Sequence, residues 1–242
     1  MKIVLVYLLL FLSLPAFTAA DYAREKRWAD EITPNILVGD SIYLTQKNQH
    51  KFLGLYAKAN KARIGVVVVH GMGIHPDWGM VGTLRQRLYD LGFTTLSIQM
   101  PVLAADAKAE AYTAVFPEAA ERLQLAVAFL KEKEHSRIVI VSHSNGSRMS
   151  RVYMATNPAD VNAWVALSLT QGDTFDGVKS PILDLYGEKD LPHVLSSVAK
   201  RKASLKDNAT STQVMIPNAD HFFDKQETAM VKAVKDFLDK VK

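Results

Sequence analysis

From residue 64 onward, short apolar runs alternate with longer stretches in which apolar residues recur at helical spacing. Ile64 to Val69 reads Ile-Gly-Val-Val-Val-Val and Ile138 to Val141 reads Ile-Val-Ile-Val. Neither alternates with polar residues, which is the pattern of a strand covered on both faces in a parallel sheet. Further strands are predicted over Phe93 to Ile98, Val161 to Leu169, Pro181 to Tyr186 and Thr212 to Ile216. Between them, Val81 to Leu91 carries Leu84, Leu88 and Leu91 on one side and ends at Gly92. Glu118 to Lys133 aligns Ala119, Leu123, Ala126, Val127 and Leu130. Arg148 to Thr156, His193 to Lys202 and Gln226 to Val241 complete the predicted helices. Strand, helix, strand in this order implies right-handed parallel crossovers. Earlier in the chain, Ser41 to Leu44 and Lys51 to Tyr56 flank the polar turn Gln46-Lys47-Asn48-Gln49 and predict an antiparallel hairpin at the sheet edge. Two stretches stay outside the pattern. Asp21 to Asp40 reads as charged and irregular, docking through Trp28, Ile32 and Ile36-Leu37-Val38. Met100 to Phe116 reads as a connection carrying part of a small cap. The expected class is therefore α/β, a three-layer α/β/α sandwich on a mostly parallel central sheet.

Composition narrows this to one domain. The chain has 242 residues, 48% of them hydrophobic and 22% charged, enough for one well-cored α/β unit. Its formal charge of +4 is spread along the chain, which argues against a nucleic-acid stripe. Met1-Lys2, an apolar run from Ile3 to Leu12 and the small-residue exit through Ala19-Ala20 describe a secretory signal peptide over residues 1–20. The expected mature domain is residues 21–242, with no stable membrane anchor after cleavage; the alternative is that the segment stays as an uncleaved anchor. There is no cysteine, which excludes disulfides, a thiol nucleophile and thiolate metal sites. Export without disulfides suits a bacterial periplasm.

The chemistry concentrates after the Ile138 to Val141 strand, in Ser142-His143-Ser144-Asn145-Gly146. A serine at the tip of a strand-to-helix turn is forced into a strained backbone, and small residues two positions either side let other chain approach. Ser144 is the candidate nucleophile; the bland alternative is an ordinary polar turn. A base must reach its hydroxyl, and an imidazole suits neutral pH if a carboxylate holds its tautomer. Such groups converge at the carboxyl ends of parallel strands, and three ends carry Ser144, Asp190 and His221. Asp190 could instead cap the following helix, leaving Glu188 or Asp173 as the acid. His50, His135 and His193 read as solvated. No pair of histidines at helical spacing brackets a carboxylate, so no metal site is expected. The loop His70-Gly71-Met72-Gly73 follows a buried strand but lacks the third glycine of a dinucleotide fingerprint, Pro76 standing there.

These segments resemble the alpha/beta-hydrolase superfamily. Ser142 to Gly146 is similar to its Gly-x-Ser-x-Gly nucleophile elbow, with a serine in place of the first glycine. Tyr186-Gly187-Glu188-Lys189-Asp190 is similar to its acid turn, and Asp220-His221-Phe222-Phe223 to its histidine loop. The chain order Ser, Asp, His is also that of the family. The resemblance implies a cofactor-free serine hydrolase with Ser144, His221 and Asp190 as the triad and the backbone N–H groups of Met72 and Asn145 as the oxyanion hole. His70 is expected to hold the loop structurally, while His75, Trp78 and His143 are candidates to line the substrate pocket. The implied substrate is a small molecule with an ester-like or amide carbonyl, a carboxylic ester first. A non-catalytic binding protein on the same scaffold, or an acyltransferase, are the alternatives.

Overall fold

A computed structural model describes residues 20–157, 159–206 and 208–241. The expected signal segment, but for Ala20, lies outside the described residues. The hairpin forms as β1 (Asp40–Thr45) and β2 (Lys51–Ala57), and β2 pairs antiparallel with β4 (Thr94–Ile98). From there the sheet is parallel through β3 (Ile64–Val69), β5 (Arg137–His143), β6 (Ala163–Leu167), β7 (Ile182–Gly187) and β8 (Thr212–Ile216). The spatial order is β1-β2-β4-β3-β5-β6-β7-β8. This is the alpha/beta-hydrolase fold, a mostly parallel sheet with an antiparallel hairpin at its N-terminal edge.

The unbroken apolar runs follow directly from the layering. On β3 and β5, Val67, Val69, Ile138 and Ile140 face one core and Val66, Val68, Val139 and Val141 the other, so neither face of these strands meets water. The first core is covered by α3 (Phe116–Glu132) and α4 (Asn145–Thr156), through Leu123, Ala126, Leu130, Met149 and Tyr153. The second is covered by α2 (Gly79–Asp90) and α7 (Glu227–Lys240), through Leu84, Leu88, Met230, Val234 and Phe237.

Three stretches differ from expectation. Residues 21–40 are not irregular: Asp21 caps α1 (Tyr22–Ile32) by accepting the Arg24 N–H at 2.9 Å. The helix buries only Ala29 and Ile32 against Leu53 and Leu55, while Leu37 is exposed. Its anchor is polar: the buried Glu25 carboxylate takes both terminal nitrogens of Arg122 on α3, at 3.0 and 3.1 Å. Such an anchor leaves no apolar stripe to read. Residues 100–116 are largely packed down: Met100, Leu103, Tyr112 and Val115 are buried in the first core and Val102 is buried beside them, a 3-10 turn spans Ala109–Val115, and the segment reaches the cavity at Ser144 through Ala109. Lastly, the helix expected over 193–202 is broken into α5 (Pro192–Leu195) and α6 (Val198–Ser204). The Ser197 hydroxyl donates to the Val194 carbonyl at 3.0 Å, a side-chain bond that competes with helix continuation.

Behind β7, Arg201 of α6 and Asp184 of β7 form an ion pair at 2.9 Å with both side chains fully buried. Gln213 also donates to Asp184, and Arg201 to the carbonyls of Val194 and Leu169. Removing one member leaves the other charged in a dry site. Asp184→Ala is expected to lower unfolding free energy by roughly 3–5 kcal/mol, read from urea denaturation.

Candidate active site

At the end of β5 the chain turns so sharply that Ser144 sits at φ 55°, in the region that side chains disfavour. The turn is held from both sides. The Ser144 N–H donates to the Leu167 carbonyl at 2.8 Å, and the Ser147 N–H to the Ser144 carbonyl at 2.9 Å. Gly146 is required here: a Cβ at that position would lie 2.2 Å from the His70 carbonyl oxygen, so any side chain would push α4 off the end of β3. Ser142, the departure from the elbow pattern, is fully buried and accepts the Trp164 indole N–H at 2.8 Å. The Ser147 hydroxyl donates to the Ser142 carbonyl at 2.8 Å. The hydroxyl is thus absorbed into a buried network and the elbow geometry survives without the glycine.

Ser144 Oγ, partly exposed at this tip, lies 2.9 Å from His221 Nε2. On the other side of the ring, His221 Nδ1 lies 2.6 Å from Asp190 Oδ1. The three expected residues therefore form one continuous hydrogen-bond chain. Neither rival acid joins it: Asp173 pairs with Arg148 at 2.9 Å, and Glu188 accepts the Asn218 N–H at 2.8 Å. Burial works against an ionised Asp190, but hydrogen bonds from His221, Ser168 and the Leu191 N–H outweigh it and hold the carboxyl below its ordinary range.

Two more histidines pack around this chain in the neutral form. His70 Nε2 accepts the Met100 N–H at 2.9 Å, so the proton sits on Nδ1, which donates to the Gly71 carbonyl at 2.8 Å. With that carbonyl turned toward His70, the trans, planar Gly71–Met72 peptide points the Met72 N–H away from the ring. The structural role expected of His70 is what it performs. Burial pushes its pKa down to about 3. His143 donates from Nε2 to the His221 carbonyl at 2.9 Å, holding the histidine loop. Burial and then the nearby His221 push its pKa down to about 4.

A cavity of about 230 Å3 opens at Ser144; His143, expected at the pocket, lines it, and so do Met72 and Asn145, the two residues expected to supply the oxyanion-hole N–H groups. His75 and Trp78 do not. His75 packs against Trp28 of α1, with ring centroids 5.6 Å apart, and Trp78 against Phe222 at 5.0 Å, one layer behind the wall. Sequence reasoning missed the opposite wall, Thr170, Gln171, Leu191 and His193, and also Phe222. Their common signal is position just past a strand end, shared with many surface loops. His193 is exposed but lines the cavity, whereas the other two histidines expected to be solvated are engaged. His50 meets Glu25 at 3.1 Å and stacks on Tyr22, and His135 is buried against the Ala62 carbonyl. Among the described residues no cluster could hold a metal ion.

Residues 13–120 match a family model described as "Protein of unknown function (DUF3530)". No curated protein matches the sequence. Solved structures match over most of their length. Est1E from Butyrivibrio proteoclasticus aligns with a TM-score of 0.66 at 15% identity, over 83% of this chain and 98% of that one. A dienelactone hydrolase from Anabaena variabilis gives 0.65 at 20%, over 81% and 94%. A serine hydrolase without a lid from Xanthomonas campestris gives 0.68 at 14%, over 85% and 95%. At these identities the likeness establishes the fold.

The buried histidines set a pH dependence. Their folded pKa values lie below the ordinary 6.5, so between about pH 6.5 and 4 the unfolded chain binds more protons, and their contribution to stability falls as pH falls. His143→Gln should keep a donor for the His221 carbonyl while removing one titrating group. Urea unfolding between pH 6 and 5 should then show a slope flatter than the parent's by about 1.4 kcal/mol per pH unit. An unchanged slope would mean that His143 is charged in the native protein.

Proposed function

We propose that this alpha/beta-hydrolase fold carries a working serine hydrolase, acting on small, uncharged carboxylic esters through an acyl-enzyme. The observation that carries the reading is the unbroken chain from Ser144 Oγ through both nitrogens of His221 to Asp190, at the tip of a strained turn. Ser144 Oγ attacks the ester carbonyl and His221 Nε2 takes its proton. Asp190 keeps the other proton on Nδ1 and stabilises the imidazolium. The oxyanion forms against the N–H groups of Met72 and Asn145, the latter opening α4, whose dipole favours negative charge at that end. His221 then protonates the departing alkoxide, and water releases the acid by the same steps in reverse roles.

The cavity supports the substrate class. Among the described residues its lining contains no Lys, Arg, Asp or Glu, so a charged acyl group would be desolvated there without a partner from that lining. Met72, Leu191 and Phe222, each about 40% exposed, form an apolar rim at its mouth. The similar structures include a dienelactone hydrolase and a serine hydrolase by their titles, which supports hydrolysis in general and no particular ester.

A fluorophosphonate probe should label the protein, and Ser144→Ala and His221→Ala should abolish labelling while keeping the parent's circular dichroism. On p-nitrophenyl esters, acetate and butyrate should be turned over better than laurate or a succinate half-ester. Ser144→Ala should lose about 10³-fold or more in kcat. A folded parent that neither labels nor hydrolyses any ester would overturn the reading and leave a binding role on the same scaffold.

A further inference from the structure

Asp190 is gripped by more than its histidine. Oδ1 accepts from His221 Nδ1 at 2.6 Å and from the Leu191 N–H at 2.7 Å. Oδ2 accepts from the Ser168 hydroxyl at 2.5 Å and, more loosely, from the Gly187 N–H at 3.3 Å. Three of these donors come from the acid's own turn or from the histidine it orients. Ser168 comes from elsewhere, 22 residues earlier in the chain, where β6 leaves the sheet.

Its conformation is unusual. Ser168 is fully buried and sits at φ 52°, a left-handed backbone in which glycine is at ease and a residue with a Cβ is not. The strain is confined by the sheet, because the Ser168 N–H still donates to the Leu185 carbonyl of β7 at 2.8 Å. A glycine would satisfy that backbone at lower cost, but only a hydroxyl-bearing residue supplies the bond to Asp190. A strained, buried, non-glycine residue whose side chain ends on a catalytic-type carboxylate calls for a functional reason.

We propose that Ser168 is a positioning residue of this hydrolase: its hydroxyl clamps Oδ2 so that Oδ1 stays aimed at His221, and the left-handed backbone at 168 is what delivers it. The proposal rests on the serine-hydrolase reading above. Without the clamp, Oδ2 keeps a single distant donor: the carboxylate turns more freely about its Cβ–Cγ bond and holds Oδ1 on His221 less well, while the negative charge that the Ser168 hydroxyl offset stays beside the imidazolium. Besides His221, the ionisable groups that interact with Asp190 are His143 and Asp184.

The test compares the parent with Ser168→Ala and Ser168→Gly, using fluorophosphonate labelling rates and p-nitrophenyl acetate kinetics from pH 5 to 9. Both variants should lose about 5- to 50-fold in kcat with KM within twofold, label more slowly by a similar factor, and show the acid limb of kcat/KM moved to higher pH. A residue that merely fills space would not move that limb. Ser168→Gly should melt higher than Ser168→Ala, since both lack the hydroxyl and only the glycine relieves the backbone. Parent-like kcat and pH profile in the glycine variant would overturn the clamp, as would a loss confined to KM. An alanine variant at least as stable as the glycine variant would overturn the strain argument. Failure of the parent itself to label belongs to the hydrolase reading, and is read separately from either result.

Discussion

The approach of Gly146 to the His70 carbonyl is the constraint on which the rest of the site depends. It locks the start of α4 against the end of β3, two elements separated in sequence by α2, β4, α3 and β5. The contact leaves no room for a Cβ, so the elbow cannot relax outward, and Ser144 stays in a backbone conformation it would otherwise avoid. The same contact brings the Gly71 loop beside the elbow: a Cβ at Gly71 would meet that of Ser144 at 3.2 Å. The turn bearing Ser144 and the Gly71 loop are thereby fixed relative to each other by backbone, with side chains filling in around them.

Three histidines within this small volume behave differently because their surroundings differ. His70 has both ring nitrogens committed to backbone and is wholly enclosed. His143 spends one nitrogen on the His221 carbonyl and is likewise enclosed. Both are kept neutral by burial. Only His221 has a carboxylate on one nitrogen and a hydroxyl on the other, the arrangement that lets an imidazole gain and lose a proton without moving. Residue type alone assigns these three nothing; their partners do.

The sheet was legible in the chain because its strands are covered on both faces. A run such as Val66 to Val69 has few other places to go, and the helices between runs carry clear apolar stripes. Ser144, Asp190 and His221 were legible because strand ends are where a parallel sheet gathers its polar groups. The first helix was not, since its anchor is a buried carboxylate paired to a guanidinium on α3 and it offers only two buried apolar residues beneath it. Nor was the far wall of the cavity. Thr170, Leu191 and His193 are brought there by loop geometry, which has no period. His75 and Trp78 show the converse: they follow the Gly71 loop closely in sequence, yet His75 packs on Trp28 of α1 and Trp78 behind Phe222, and neither lines the cavity.

The separation of Ser144 from its histidine, 77 residues along the chain, has a consequence in time. As the polypeptide is made from its N-terminus, the elbow strand, its helix and both flanking loops are complete well before β8 exists. Until Thr212–Ile216 adds to the sheet edge and carries His221 into place, the Ser144 hydroxyl has no imidazole beside it and Asp190 has nothing to orient. The arrival of β8 is therefore what completes the hydrogen-bond chain from Ser144 through His221 to Asp190. A chain truncated or misfolded at that sheet edge would leave the Ser144 hydroxyl without its imidazole partner.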